Sequence, residues 1–139
     1  MLLNFATARY DAVVADLPEI VDEASEPILT QAKGVYLVTA PERASLFLAR
    51  KRISALQARG VWESHIHVVL NRYTGRCAKI EEIEQILERR VTVVLPEDSE
   101  ARRWVLDAGM ANARSVLRKT FCAFARTAAG MTAATSPLE

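Results

Sequence analysis

Glycine is scarce in this chain of 139 residues, and its placement excludes one common device. The five glycines are Gly34, Gly60, Gly75, Gly109 and Gly130, and none opens a G-x-x-x-x-G-K-[ST] phosphate loop. Cysteine is scarcer: Cys77 and Cys122 have neither metal-ligand nor redox spacing, which excludes a disulfide framework and implies reduced thiols. No apolar run approaches the roughly 20 residues that cross a bilayer. The start, Met1 to Arg9, lacks the basic and long apolar stretches of a signal peptide. Lys plus Arg number 18 against 17 Asp plus Glu, so net charge gives no general attraction to nucleic acid. These absences predict a cytoplasmic globular protein. With 50% hydrophobic residues it can bury one modest core, so a single α/β domain is expected over 1–130 and a flexible tail over 131–139.

What is present is a repeated pattern. Residues 12–16, 35–39, 66–70 and 91–95 are short apolar runs rich in β-branched residues, with hardly any polar alternation. Such runs suit strands covered on both faces. Between them lie helical patterns. Leu46, Ala49, Ile53 and Leu56 recur at three- and four-residue steps before Gly60. Ile80, Ile83, Ile86 and Leu87 mark a shorter helix, acidic early and basic late, as a helix dipole favours. Further helices are expected over 2–6, 99–108 and 111–128. Alternation of strand and helix predicts a three-layer fold with a mainly parallel sheet of about four strands and helices on both faces.

Ligands of such sheets bind beyond the carboxyl ends of the strands. Those ends are Asp16-Leu17-Pro18, Thr39-Ala40-Pro41-Glu42, Asn71-Arg72-Tyr73 and Pro96-Glu97-Asp98. Each has a plain structural alternative. An acid such as Asp16 can cap the following turn, and Asn71 can bond its own backbone at a strand exit. His65 and His67 would share a strand face but lack an obvious third metal ligand. Cys77 has no paired base, Ser45 has no nucleophile-elbow setting, and Trp62 and Trp104 read as packing residues.

Taken in order, the four strand ends resemble the C-terminal half of the ParA/MinD family of P-loop ATPases, and most of all its pilus-assembly, CpaE-like branch. Tyr10 to Pro18 is similar to the family's YDxVVxDLP Walker B segment, and Val38 to Leu46 to its VTxPExxSL turn. Val69 to Tyr73 resembles its VLNRY stretch, and Leu95 to Asp98, followed by Gly109, its LPxD…G element. The resemblance covers about residues 9–120. It implies ATP and Mg²⁺ as cofactors, with Asp16 as the catalytic acid beside the metal. Asn71 and Pro96 would line the base pocket, with Arg72 and Asp98 as further cofactor-binding positions.

The family also carries an N-terminal strand and a lysine-bearing phosphate loop, which this chain lacks, and Glu19-Ile20 replaces the proline or glycine often found after its DLP triplet. Nucleotide turnover would then need a phosphate loop from a missing segment or another chain. In that fold the Walker B strand pairs with the phosphate-loop strand, so strand 12–16 is expected to leave a ladder edge open for a homo- or hetero-oligomer. The alternative function is a pseudo-ATPase interaction module. A third reading concerns 111–128, where Arg114, Arg118, Lys119 and Arg126 accompany Val116, Leu117, Phe121 and Phe124 without any acid. Such a helix can lie on an anionic membrane at the inner face, or simply pack on the sheet.

Overall fold

The computed structural model describes residues 2–18, 25–99 and 115–130. Its elements are α1 (Leu2–Arg9), α2 (Glu26–Gln31), β1 (Val35–Thr39), α3 (Arg43–Ala58) and a 3₁₀ turn (Glu63–His65). They continue with β2 (Ile66–Tyr73), α4 (Ile80–Leu87), β3 (Val91–Pro96) and α5 (Val116–Ala128). Among the described residues the sheet has three strands in the order β1-β2-β3, all parallel. The fold is thus the expected α/β arrangement with one strand fewer.

The missing strand is 12–16. Those residues form no ladder and are exposed, Val14 to 94%. A strand is stable only when a neighbour takes its N–H and C=O groups, and no described segment offers that neighbour. Apolar β-branched composition alone was insufficient. The expected docking edge at 12–16 is corrected accordingly: the free ladder edges of the described sheet belong to β1 and β3. Only Leu17 of this region reaches the core.

One face of the sheet is sealed. Alternation along β1 and β2 turns Val35, Leu37, Ile66, Val68 and Leu70 to the side where α3 and α4 lie. α3 contributes Leu46, Ala49, Ile53 and Leu56, and α4 contributes Ile83 and Leu87. α2, which the sequence pattern did not announce, adds Leu29. Full burial of each large aliphatic side chain contributes about 1.5–3 kcal/mol, so this cluster is the main source of stability.

Polar side chains fix how the helices meet the strands. Arg89 donates from Nη1 to the carbonyls of Glu63 and Ile66 and pairs with the Glu63 carboxylate, which holds the 3₁₀ turn against the start of β2. Glu84 accepts from the Val91 N–H at 2.8 Å, tying α4 to the start of β3. α4 ends at Glu88, whose backbone is left-handed (φ 53°) and whose carboxylate pairs with Arg50 of α3.

The opposite face carries Tyr36, Val38, His67 and Val69. α5 covers part of it through Phe124, which meets the Tyr36 ring edge-on at 5.0 Å. No residue of α5 is buried, and Val38 stays 60% exposed. The helix expected over 111–128 therefore packs on the sheet, but begins at Val116 among the described residues. The helix expected over 99–108 and the tail 131–139 fall, Ser99 apart, outside the described residues. Trp62 is 74% exposed, which corrects its reading as a packing residue; Trp104 lies outside the described residues.

Replacing Ile83 by Ala should cost about 2–5 kcal/mol, because a fully buried side chain at the α4–sheet contact leaves a cavity. Urea denaturation followed by circular dichroism measures this, and a loss below about 1 kcal/mol would contradict the packing described.

Candidate functional site

Because β1, β2 and β3 run parallel, their carboxyl ends share one rim of the sheet. Thr39 closes β1. It is buried, and its hydroxyl lies 3.2 Å from the carbonyl of Ser45 in α3. That bond pins the turn Ala40-Pro41-Glu42, with Glu42 in extended conformation at the helix start.

Two bulges shape the other strands. Val68 pairs with Val91 but Val69 with Val93, so β3 holds one extra residue, Thr92. Leu70 pairs with Val94 and Tyr73 with Pro96, so β2 holds one extra residue in the stretch Asn71-Arg72. Such insertions bend a strand and re-aim its side chains. Arg72 takes up the extra length with a left-handed backbone (φ 58°), and its N–H donates to Asn71 Oδ1 at 3.0 Å. This is the local bond that an Asn at a strand exit commonly makes. Beyond the bulge, Pro96 stands opposite Tyr73, and the Glu97 N–H donates to the Tyr73 carbonyl at 3.1 Å. Proline is tolerated there because the next residue supplies the donor.

The loop after β2 is closed on itself. Tyr73 donates its hydroxyl to the Ala78 carbonyl, Thr74 Oγ1 accepts from the Arg76 N–H, and Gly75 takes a positive φ of 72°. Thr74 also sits 3.2 Å from the exposed Cys77 thiol, and that hydrogen bonding lowers the thiol's pKa. At the end of β3, Asp98 Oδ2 accepts from the Ser115 hydroxyl at 2.8 Å. Ser115 in turn caps α5 by accepting from the Arg118 N–H.

Of the residues singled out from sequence, Asn71, Arg72, Pro96 and Asp98 therefore gather on adjoining ends of β2 and β3. Asn71, Pro96 and Asp98 are half-buried and Arg72 is exposed. Asp16 lies on no strand and is exposed. Among the described residues, no group of three His, Cys, Asp or Glu is gathered to hold a metal ion. His65 sits in the 3₁₀ turn and not on β2, so the two histidines do not form the shared strand face expected of them. His67 stacks on Tyr36 instead. Sequence pattern also missed the Asp98–Ser115 tie, which joins residues far apart in the chain and has no local signature.

A parallel α/β sheet with polar turns collected at its carboxyl rim is an open-sheet architecture of the kind in which ligands, where bound, sit beyond the strand ends. No protein-family model matches the chain, and no curated protein matches it. Solved structures do match. The chain is similar to a ParA family ATPase from Chlorobium tepidum TLS (TM-score 0.66, 25% identity), covering 75% of this chain and 45% of that one. It is also similar to the MinC:MinD cell division protein complex of Aquifex aeolicus (TM-score 0.66, 18% identity, 86% and 50% covered). The MinD cell division protein of Aquifex aeolicus matches with TM-score 0.61 and 20% identity, covering 85% of this chain and 51% of that one. The chain thus shares its fold with ParA/MinD proteins and spans about half the length of those it matches.

Ser115 offers a direct test of the rim's construction. Ser115→Ala removes both the bond to Asp98 and the cap of α5, with an expected loss of about 1–2 kcal/mol. Ser115→Thr, which keeps the hydroxyl, should recover most of it. Equal unfolding midpoints for wild type and Ser115→Ala would show that the tie carries no stability.

Proposed function

We propose that this chain is the base-binding part of a ParA/MinD-like ATPase, with Asn71 and Pro96 holding the nucleotide base and Arg72 and Asp98 flanking it. The observation that carries this reading is the side-by-side position of Asn71-Arg72-Tyr73 and Pro96-Glu97-Asp98 on adjoining strand ends, within a fold shared with a ParA family ATPase. Asn71 keeps its amide N–H₂ and one oxygen lone pair for a purine edge, after giving the other to Arg72. The fit is one-sided. No glycine-rich loop and no gathered carboxylates meet a Mg²⁺-triphosphate among the described residues. ATP and Mg²⁺ would be held together only when another segment or chain supplies the phosphate donors, with Asp16 then turned toward the metal. From the likeness of its strand-end motifs, Tyr10 to Pro18, Val38 to Leu46, Val69 to Tyr73 and Leu95 to Asp98, we further propose the CpaE-like, pilus-assembly branch, working in the cytoplasm as an oligomer that completes the site.

Titration of the full chain with adenosine and with ATP, followed by ¹H–¹⁵N NMR, tests this. Millimolar adenosine should shift the amides around Asn71 and Glu97, ATP should shift them no more strongly, and Asn71→Ala should abolish the response. Saturation with nucleotide that leaves those amides unmoved would refute base binding and leave the pseudo-ATPase interaction module.

A second reading rests on α5. Its residues Val116 and Phe121 are 66% and 50% exposed, and the helix carries Arg118, Lys119 and Arg126 with no acid. Exposed apolar and basic side chains on one helix favour an anionic membrane surface, where it would lie peripherally. No helix of the described residues is long and apolar enough to cross a membrane. Flotation with phosphatidylserine-containing vesicles should carry the wild-type chain upward and fall with salt. Phe121→Glu, which alters an exposed position, should reduce recovery several-fold; equal recovery would remove this reading.

A further inference from the structure

α3 and α4 lie together on the sealed face of the sheet, joined by the Arg50–Glu88 pair, and they carry opposite charge. α3 with its C-cap holds Arg43, Arg50, Lys51, Arg52 and Arg59 and no acid. α4 holds Glu81, Glu82 and Glu84, with Glu88 at its end. Part of that charge is spent inside the chain: Glu84 on the Val91 N–H, Glu82 on the Lys79 N–H and Glu88 on Arg50. Lys51 and Glu81 are exposed, and no ion pair within the described residues engages either. A groove of about 480 Å³ lies between the helices, with Arg43 on the α3 side, Glu82, Gln85 and Ile86 on the α4 side, and Ala78 before α4. One turn beyond Arg43, Phe47 is 45% exposed, its ring centre 5.9 Å from the Arg43 guanidinium. This layer therefore carries an aromatic knob, a groove, a basic helix and an acidic one.

We propose that two copies of the chain meet through this face, α3 of each lying over α4 of the other, with Phe47 entering the second copy's groove. A second copy is the occupant because the patch is its own complement. A two-fold axis presents the same surface to itself, so residue i of one copy meets residue j of the other and j meets i. A basic helix beside an acidic one then finds opposite charge across the axis twice, and the knob and groove are each used twice. A partner of one uniform charge would instead meet like charge on one of the two helices. The affinity comes from Phe47, since an aromatic side chain leaving water for a pocket is the usual anchor of an interface. The exposed charges, Lys51 toward Glu81 of the second copy, add little strength and set the register. No nucleotide enters this contact, so it stands or falls separately from base binding at the rim.

Sedimentation equilibrium of the full chain without nucleotide, from about 10 μM to about 500 μM, tests the proposal and should show a monomer–dimer equilibrium. Lys51→Glu and Glu81→Lys should each weaken the dimer several-fold, because each places like charges opposite one another at both symmetric contacts. Mixing these two variants should restore association: the reversed charges then face each other at one contact and the native pair re-forms at the other. Phe47→Asp should abolish the dimer while circular dichroism shows the fold retained, since the position is exposed; Phe47→Ala serves with the same expectation if that variant does not fold. A wild-type chain that stays monomeric over the whole range would overturn the proposal. So would a dimer that none of these substitutions weakens, which would place the contact at a ladder edge or on α5, or a mixture that fails to recover.

Discussion

A parallel sheet has no face to turn to water, so both of its sides must be covered, and this molecule covers them unequally. α3 and α4 seal one side completely: Leu46, Leu70, Ile83 and Val68 have no exposed surface. Among the described residues the other side has α5, a helix without a buried residue, and Val38 there stays 60% exposed. Stability is thus concentrated in one layer and adjustable contacts in the other. The sealed layer fixes the strand register, and the register fixes the rim.

The rim inherits its shape from the two offset bulges. Had β2 and β3 kept a uniform register, Asn71 would follow simple alternation along the strand. The extra residue in β2 instead forces Arg72 into a left-handed backbone, which for an L-residue costs about 1–2 kcal/mol. The bond from its N–H to Asn71 Oδ1 offsets part of that cost, and the Glu97–Tyr73 bond extends the ladder beyond the irregularity. Strain of this kind persists where surrounding contacts over-determine it, and such positions cluster at sites of binding.

How much of this was legible in the sequence depends on whether the cause is local. β1 and the cores of β2 and β3 were readable, since continuous β-branched runs suit a covered parallel strand whatever the partner. α3 and α4 were readable from their apolar periodicity. The segment 12–16 has the same composition as the true strands, yet it forms none, because pairing is a property of two segments and composition describes one. α2 escaped notice because six residues with a proline at the start give too little periodicity. Of the site, the strand ends marked Asn71, Pro96 and Asp98 correctly as rim positions. The Ser115 partner of Asp98 and the Tyr36 partner of His67 come from other elements, and no spacing rule reaches them.

Under the proposed reading, the division between base and phosphate follows from where the donors lie. A purine edge needs one or two directed hydrogen bonds, which a single side-chain amide on a bulged strand can supply. A Mg²⁺-triphosphate needs several N–H donors, a lysine and a metal-holding acid converging at once, and such an array is built by a loop that folds around its ligand. The ends of β2 and β3 are closed by their own bonds: Tyr73 to Ala78, Thr74 to Arg76, Asp98 to Ser115. Those bonds leave the rim rigid enough to orient a flat ring, but the donors they spend are not available to wrap an anion. Under the proposed reading, phosphate contacts would come from other chain, and the exposed segment carrying Asp16 is the part of this one that would have to turn toward it.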